Sequence, residues 1–71
     1  MAIDCKTIND SNTPNPNEDC VFPFKYNDGT YYACTTVDHN FVFWCGTDYD
    51  IGDGNVGWGH CEEECPKEQG N

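Results

Sequence analysis

The side chains with the most scope for chemistry in this 71-residue chain are six cysteines and two histidines. Six cysteines in so short a chain is the density of a secreted disulfide scaffold, so we expect three disulfides and no reactive thiol. The even count permits many pairings, and spacing alone does not choose among them. His39 and His60 then have no evident nucleophile to serve, and the only serine, Ser11, lies in a polar N-terminal stretch. We predict no catalytic residue and no enzymatic activity.

Two groups of side chains partly match metal sites. Aspartates recur through residues 48–55 as in a calcium loop, but the third ligand is out of register and the terminal glutamate is missing. A zinc site could be drawn through His60, Cys61, Cys65 and Cys45, but only by giving up disulfides. We therefore predict no metal and no other cofactor.

The charge of the chain limits its partners. Thirteen acidic residues oppose three lysines, for a net charge of −10. Nucleic acid, anionic lipid and heparin-like polymers all require basic side chains, so each is a poor partner. A neutral, apolar or cationic ligand remains admissible. This composition and the cysteine density indicate an extracellular protein.

The start of the sequence and its hydropathy bear on the same question. No apolar segment follows Met1, so we expect no signal peptide in this sequence, which is then a mature form or a piece of a longer secreted chain. No run of about 18 apolar residues occurs, so we expect no membrane span.

The elements that must position these side chains lie between residues 20 and 61, which hold four cysteines and every aromatic residue. Apolar residues alternate through residues 22–26, and an Asp28-Gly29 turn leads to a second β-prone run at 30–34, which together predict a hairpin. Residues 41–45 are a further β-prone run, 46–57 are glycine-rich and irregular, and 58–61 form a short strand or turn.

The two ends of the chain differ from this central region. Residues 1–19 contain Pro14 and Pro16 among asparagines and aspartates, which predicts an extended, turn-rich tether. Asn9 begins a glycosylation sequon. Residues 62–71 form an acidic tail with at most one helical turn.

The cysteine and aromatic spacing resembles that of the fibronectin type II domain, a kringle-like module. The resemblance covers residues 20–61 and rests on C-x-x-P-F-x-Y at Cys20, then Cys34, Trp44-Cys45 with Gly-Thr after it, and Trp58-Gly-x-Cys. Two departures are His60, where the family usually has an aromatic residue, and a loop between 47 and 58 that is about one residue longer than typical.

The resemblance implies a small, disulfide-rich, mostly β fold with two short antiparallel sheets and large loops. It also implies the pairs Cys20–Cys45 and Cys34–Cys61. That leaves Cys5 to pair with Cys65, outside the family pattern, which would join the tether to the tail.

Ten aromatic residues are too many for so small a core to hide, so some must form an exposed binding surface. The resemblance implies a shallow aromatic pocket, and we add His60 as a possible pH-sensitive neighbour. Phe22, Phe24 and one of Tyr31 and Tyr32 are expected in the core, and Trp44 fits either place. The predicted ligand-binding residues are Tyr26, Trp44, Tyr49, Ile51, Trp58 and His60.

Most family members bind collagen-like chains or gelatin, and some bind choline headgroups. We therefore predict a noncatalytic module that binds a collagen-like, gelatin-like or proline-rich ligand. The alternative is a choline lipid headgroup. Its positive charge is attracted to the faces of aromatic rings, and Asp48, Asp50 or Asp53 could add to that attraction. A third hypothesis is a secreted acidic effector that binds another extracellular protein.

Overall fold

The computed structural model of the chain describes residues 5–68, which contain four strands of three residues each. β1 (Phe24–Tyr26) pairs antiparallel with β2 (Gly29–Tyr31), and β3 (Trp44–Gly46) pairs antiparallel with β4 (Trp58–His60). The predicted fold class, two short antiparallel sheets joined by large loops, is confirmed. Residues 1–4 of the predicted tether and residues 69–71 of the predicted tail lie outside the described part.

The first hairpin lies where the alternating apolar pattern predicts it, but its turn is shifted by one residue. Tyr26 pairs with Gly29, so Asn27 and Asp28 form the turn and Gly29 already belongs to β2. Asn27 adopts a left-handed φ of 52°, which asparagine tolerates better than most residues. The prediction of an Asp-Gly turn was therefore wrong in register, although it placed the hairpin correctly.

The predicted strand at residues 41–45 was wrong in its first half. Phe41 has a left-handed φ of 71° and is 94% exposed, and the Val42 amide donates to the His39 carbonyl at 3.0 Å. Turn-forming residues before it, including Asn40 at a φ of 44°, override the β propensity of Phe41 and Val42. The strand begins only at Trp44.

The core combines aromatic rings with disulfides. Phe24 is fully buried, and its ring centroid lies 5.3 Å from that of Trp44 and 5.4 Å from that of Tyr31. Trp44 and Ile51 are buried as well, whereas Tyr32 is 73% exposed. The prediction of Phe24 as a core residue is confirmed, and Tyr31 is the tyrosine that packs against it.

All six cysteines are paired: two bridges are those that the resemblance implies, and the third joins the two cysteines that it leaves over. The bridges are Cys5–Cys65, Cys20–Cys45 and Cys34–Cys61. Five of these sulfur atoms, with at least one from every bridge, lie within 4.8 Å of one another. Sulfurs held in disulfides are not thiolates, so a zinc site of the kind drawn through the cysteines is not available to this fold.

Residues 5–19, expected to form a tether, pack against β4 and the residue that follows it. Thr7 is 1% exposed and pairs with Cys61, and its hydroxyl donates to the Asn15 carbonyl at 2.7 Å. The same hydroxyl oxygen accepts the Glu18 amide at 2.9 Å, which closes the segment into a loop. The segment is turn-rich, as its prolines and asparagines indicate, and it is also an integral layer of the fold.

The contact between this segment and β4 requires a glycine. A Cβ atom on Gly59 would lie 2.7 Å from the Asn15 carbonyl oxygen and 2.7 Å from Cγ2 of Thr7. Both neighbours are buried or backbone atoms, so neither can give way easily.

Within residues 5–68, no helix is long and apolar enough to cross a membrane.

Gly59→Ala is therefore expected to lower the free energy of unfolding by about 3 kcal/mol, the upper part of the range for overpacking. Gly52→Ala is the matched control, because Gly52 has a left-handed φ of 59° but nothing within 4 Å of its would-be Cβ. Its cost is that of the backbone conformation alone, about 1 kcal/mol. Guanidinium denaturation with the disulfides intact measures both. A smaller loss for Gly59→Ala than for Gly52→Ala would contradict this account of the packing.

Candidate ligand-binding site

A cleft of about 110 Å³ lies where the two sheets and two loops meet. We call it the aromatic cleft. Its lining residues are Tyr26, Val37, Asp38, His39, Trp44, Gly54 and Trp58. It can hold one compact group, such as a side chain or a small headgroup, and cannot hold a folded partner.

The strands place the three large rings of the cleft. Tyr26 ends β1, Trp44 begins β3 and Trp58 begins β4. Trp44 pairs with His60, and Trp58 lies two residues before His60, so all three side chains share one face of the second sheet. Trp44 is 4% exposed and forms the inner part of the cleft, whereas Tyr26 and Trp58 are half-buried.

The rings of the cleft meet at steep angles. The Tyr26 and Trp44 centroids are 5.2 Å apart with an interplanar angle of 84°, and those of Trp44 and Trp58 are 6.0 Å apart at 69°. His39 meets Trp58 at 5.0 Å and 76°. Rings so inclined cannot form one flat wall, so they bound the cleft on several sides.

The polar hydrogens of these three rings are used inside the protein. Trp44 Nε1 donates to the Val37 carbonyl at 2.9 Å, and Trp58 Nε1 donates to the Gly54 carbonyl at 2.7 Å. The Tyr26 hydroxyl donates to Asp38 Oδ2 at 2.8 Å. These residues therefore offer a ligand their ring faces and the exposed Asp38 carboxylate, without a free donor among them.

The hydrogen bond between Tyr26 and Asp38 has an electrostatic signature. The Asp38 carboxylate stabilises the neutral phenol and opposes its ionisation, so it raises the pKa of Tyr26, with burial adding to the effect. The pKa of Tyr31 is also raised, but there burial is the main cause. Tyr26 is thus held as a neutral donor to Asp38 throughout the physiological pH range.

The structure brings together half of the residues predicted to bind ligand. Tyr26, Trp44 and Trp58 line the cleft, whereas Tyr49 is 58% exposed away from it and Ile51 is 8% exposed in the core. The Lys25 amide donates to the Tyr49 carbonyl, and the Ile51 amide donates to the Lys25 carbonyl. These bonds lay the loop alongside β1 and turn Ile51 inward.

The acidic residue beside the rings was not predicted. Asp48, Asp50 and Asp53 each accept a backbone amide of their own loop, from Tyr49, Gly52 and Asn55 respectively. Asp38 lies at the cleft instead, because Thr35 and Trp44 pair through two 2.9 Å backbone bonds and fold the intervening loop over the Trp44 ring. The sequence signal for Asp38 and His39 is only that they fall in a polar loop before a tryptophan.

His60 lies next to the cleft, behind His39. The Nε2 atoms of the two imidazoles are 2.9 Å apart, and His60 Nδ1 is 3.1 Å from Asp10 Oδ2. Asp10 accepts the backbone amide of Asn12, and this bond, together with His60, holds the pKa of Asp10 below its ordinary value. A residue of the N-terminal segment therefore fixes the imidazole that replaces an aromatic ring of the family.

Asp38→Asn is expected to lower the pKa of Tyr26 toward its ordinary value near pH 10, because the amide lacks the negative charge that opposes ionisation. The pKa of Tyr31 should fall less, because burial is the main cause of its rise and the Asp38 charge is the smallest of three causes. Ring resonances followed by NMR against pH separate the two tyrosines. Because the pKa of Tyr26 is higher in the folded chain than in the unfolded chain, it adds stability that is fully present below about pH 10. This stability is lost as the pH rises through the Tyr26 pKa of the folded chain. Over that pH range the free energy of unfolding should therefore fall more for the wild type than for Tyr26→Phe. An unchanged Tyr26 titration in Asp38→Asn would assign the shift to another group.

Comparison with known proteins agrees with this architecture. The family model described as "Fibronectin type II domain" matches residues 20–61. The mouse (Mus musculus) protein "Binder of sperm protein homolog 2" is 37% identical over 49 residues, which are 69% of this chain and 34% of that protein. The matched part thus spans about a third of the relative's length. No solved structure gives a significant match. The chain belongs to the fibronectin type II domain family.

Proposed function

We propose that this chain is a noncatalytic extracellular binding module whose aromatic cleft recognises a quaternary ammonium group, such as a choline headgroup. The observation that carries the proposal is the combination of three inclined ring faces with one carboxylate, Asp38, and no free ring donor among Tyr26, Trp44 and Trp58. Fibronectin type II domains are in general noncatalytic binding modules, and the matched relative is named as a binder. The three disulfides favour an oxidising, extracellular setting.

Ring faces and a carboxylate attract the same kind of group. The face of an aromatic ring carries partial negative charge and attracts a cation by roughly 0.5 to 2 kcal/mol, more when the cation is desolvated. A quaternary ammonium has no N–H to donate, so it makes no demand for hydrogen-bond partners in the cleft. The net charge of −10 adds a long-range attraction for any cation.

A collagen-like or gelatin strand is less well served by the same cleft. Such a strand is a polyproline II helix whose carbonyls are all free to accept hydrogen bonds. The indole N–H groups of Trp44 and Trp58 already donate to the carbonyls of Val37 and Gly54, so neither is available to donate to the carbonyls of such a strand. Proline rings can still pack on the exposed faces of Tyr26 and Trp58. The collagen-like ligand is therefore the second candidate, and the acidic effector hypothesis rests on charge alone.

Choline chloride should bind the wild type saturably, as followed by NMR shifts of the Tyr26 and Trp58 rings. The neutral isostere 3,3-dimethylbutan-1-ol has the same shape without the charge and should bind at least tenfold more weakly. Asp38→Asn should weaken choline binding about tenfold, equivalent to about 1.4 kcal/mol. Trp58→Ala should weaken it at least as much, because a whole ring face is removed.

Two control variants match these changes. Glu63→Gln removes one charge from an exposed residue outside the cleft, and Tyr49→Ala removes an exposed aromatic ring outside it, so both should bind choline as the wild type does. Equal affinity for choline and its neutral isostere would overturn cation recognition. Retention on gelatin-agarose that is lost in Trp58→Ala, without choline binding, would favour the collagen-like ligand. Binding to a basic protein that disappears with rising salt would favour the acidic effector.

A further inference from the structure

The two histidines of the chain meet in space although 21 residues separate them. His39 comes from the loop over Trp44, and His60 from the end of β4. Their Nε2 atoms, 2.9 Å apart, face each other, and the other ring nitrogen of His60 faces Asp10 Oδ2 at 3.1 Å. His60 and Asp10 keep 21% and 24% of their side-chain surface exposed, so solvent reaches the pair.

We propose that His39 and His60 form a binding site for a divalent transition-metal ion, zinc in the first instance, held through both Nε2 atoms. A zinc–nitrogen bond is about 2.0 to 2.1 Å long, so two imidazole nitrogens on one tetrahedral zinc lie about 3.4 Å apart. The present separation is 2.9 Å. An opening of about half an ångström, within reach of small side-chain rotations, converts the hydrogen-bonded pair into a chelate.

Asp10 prepares His60 for this role. A histidine that binds a metal through one nitrogen almost always donates its other N–H to a carboxylate, carbonyl or water, which fixes its tautomer and makes it a better ligand. The contact between His60 Nδ1 and Asp10 Oδ2 has this arrangement. It places the proton of neutral His60 on Nδ1 and leaves the lone pair of Nε2 free to bind.

The proton balance at His39 then follows. In the metal-free pair, His60 Nε2 accepts, so His39 must donate from its own Nε2–H. When zinc binds, the proton of His39 must move from Nε2 to Nδ1 by exchange with solvent, which frees the Nε2 lone pair for the ion, so neither ring gains or loses a net proton. Two imidazoles leave at least two coordination positions open, which water can fill.

The choice of metal follows from the donor atoms. Imidazole nitrogen suits zinc, copper and nickel, whereas calcium and magnesium prefer oxygen ligands. Asp10 contacts His60, Asp38 precedes His39 and lines the same cleft, and the rings packed against the pair are those of Trp44 and Trp58. Both carboxylates offset the charge of the ion, while the rings supply no competing ligand.

Zinc titrated calorimetrically into the metal-free, disulfide-bonded chain at neutral pH should bind at one site of highest affinity. His39→Gln and His60→Gln should each weaken that site at least tenfold. Asp10→Asn should weaken it about tenfold, because only the positioning of His60 is disturbed. Asp48→Asn, which removes an acidic oxygen elsewhere, should leave it unchanged, and a large excess of calcium should not compete.

Zinc affinity that is the same in the wild type and in both histidine variants would overturn the proposal. A histidine variant could also lose zinc binding because it misfolds. Nitrogen NMR of the wild type, whose fold is intact, tests the site directly, because zinc should shift the Nε2 resonances of both imidazoles. Zinc is measured without choline, so the two proposals fail separately. A chain that binds zinc but not choline retains the metal site and loses the choline function.

Discussion

The fold depends on the contact between its three disulfides. Sulfur atoms from every bridge lie within 4.8 Å of one another, and with Phe24, Trp44 and Ile51 they occupy the place that aliphatic side chains fill in larger domains. Strands of three residues are not stable in isolation. The bridge Cys20–Cys45 joins the segment before β1 to β3, and Cys34–Cys61 joins the segment after β2 to the residue after β4. Covalent bonds therefore set the distance between the sheets, and so between Tyr26 and the two tryptophans.

The small size of the fold also explains which chemical groups line the aromatic cleft. A small protein must satisfy the polar hydrogens of its half-buried aromatic residues, and here Val37, Gly54 and Asp38 accept them. Each ring is thereby held by a contact at its rim, so its face needs no rearrangement to receive a ligand. Binding to such a preorganised site avoids much of the entropy cost of ordering side chains. The contacts that hold the rings in place would therefore also prepare the cleft for the ligand proposed above.

Sequence reasoning succeeded where spacing alone determines structure. The hairpin and the place of Phe24 in the core follow from the alternation of apolar residues, whereas Tyr26, Trp44 and Trp58 were named from the resemblance to the family. It failed at residues 41–43, because left-handed turns at Asp38, Asn40 and Phe41 outweigh the β propensity of Phe41 and Val42. It named both Tyr49 and Ile51 as ligand-binding residues, because a loop longer than the family's does not fix which of the two takes the family's aromatic position. The contact of His60 with His39 and Asp10 is tertiary and leaves no local pattern.

The outer disulfide also determines how the module responds to mechanical load. Cys5 and Cys65 lie 60 positions apart in sequence, yet their Cα atoms are only 5.1 Å apart. A pull applied to the chain on either side of them passes through this one covalent bond. The enclosed residues, which would extend to about 200 Å as a free strand, carry none of the tension. Tension applied at the two ends of the module would therefore leave the shape of the aromatic cleft unchanged.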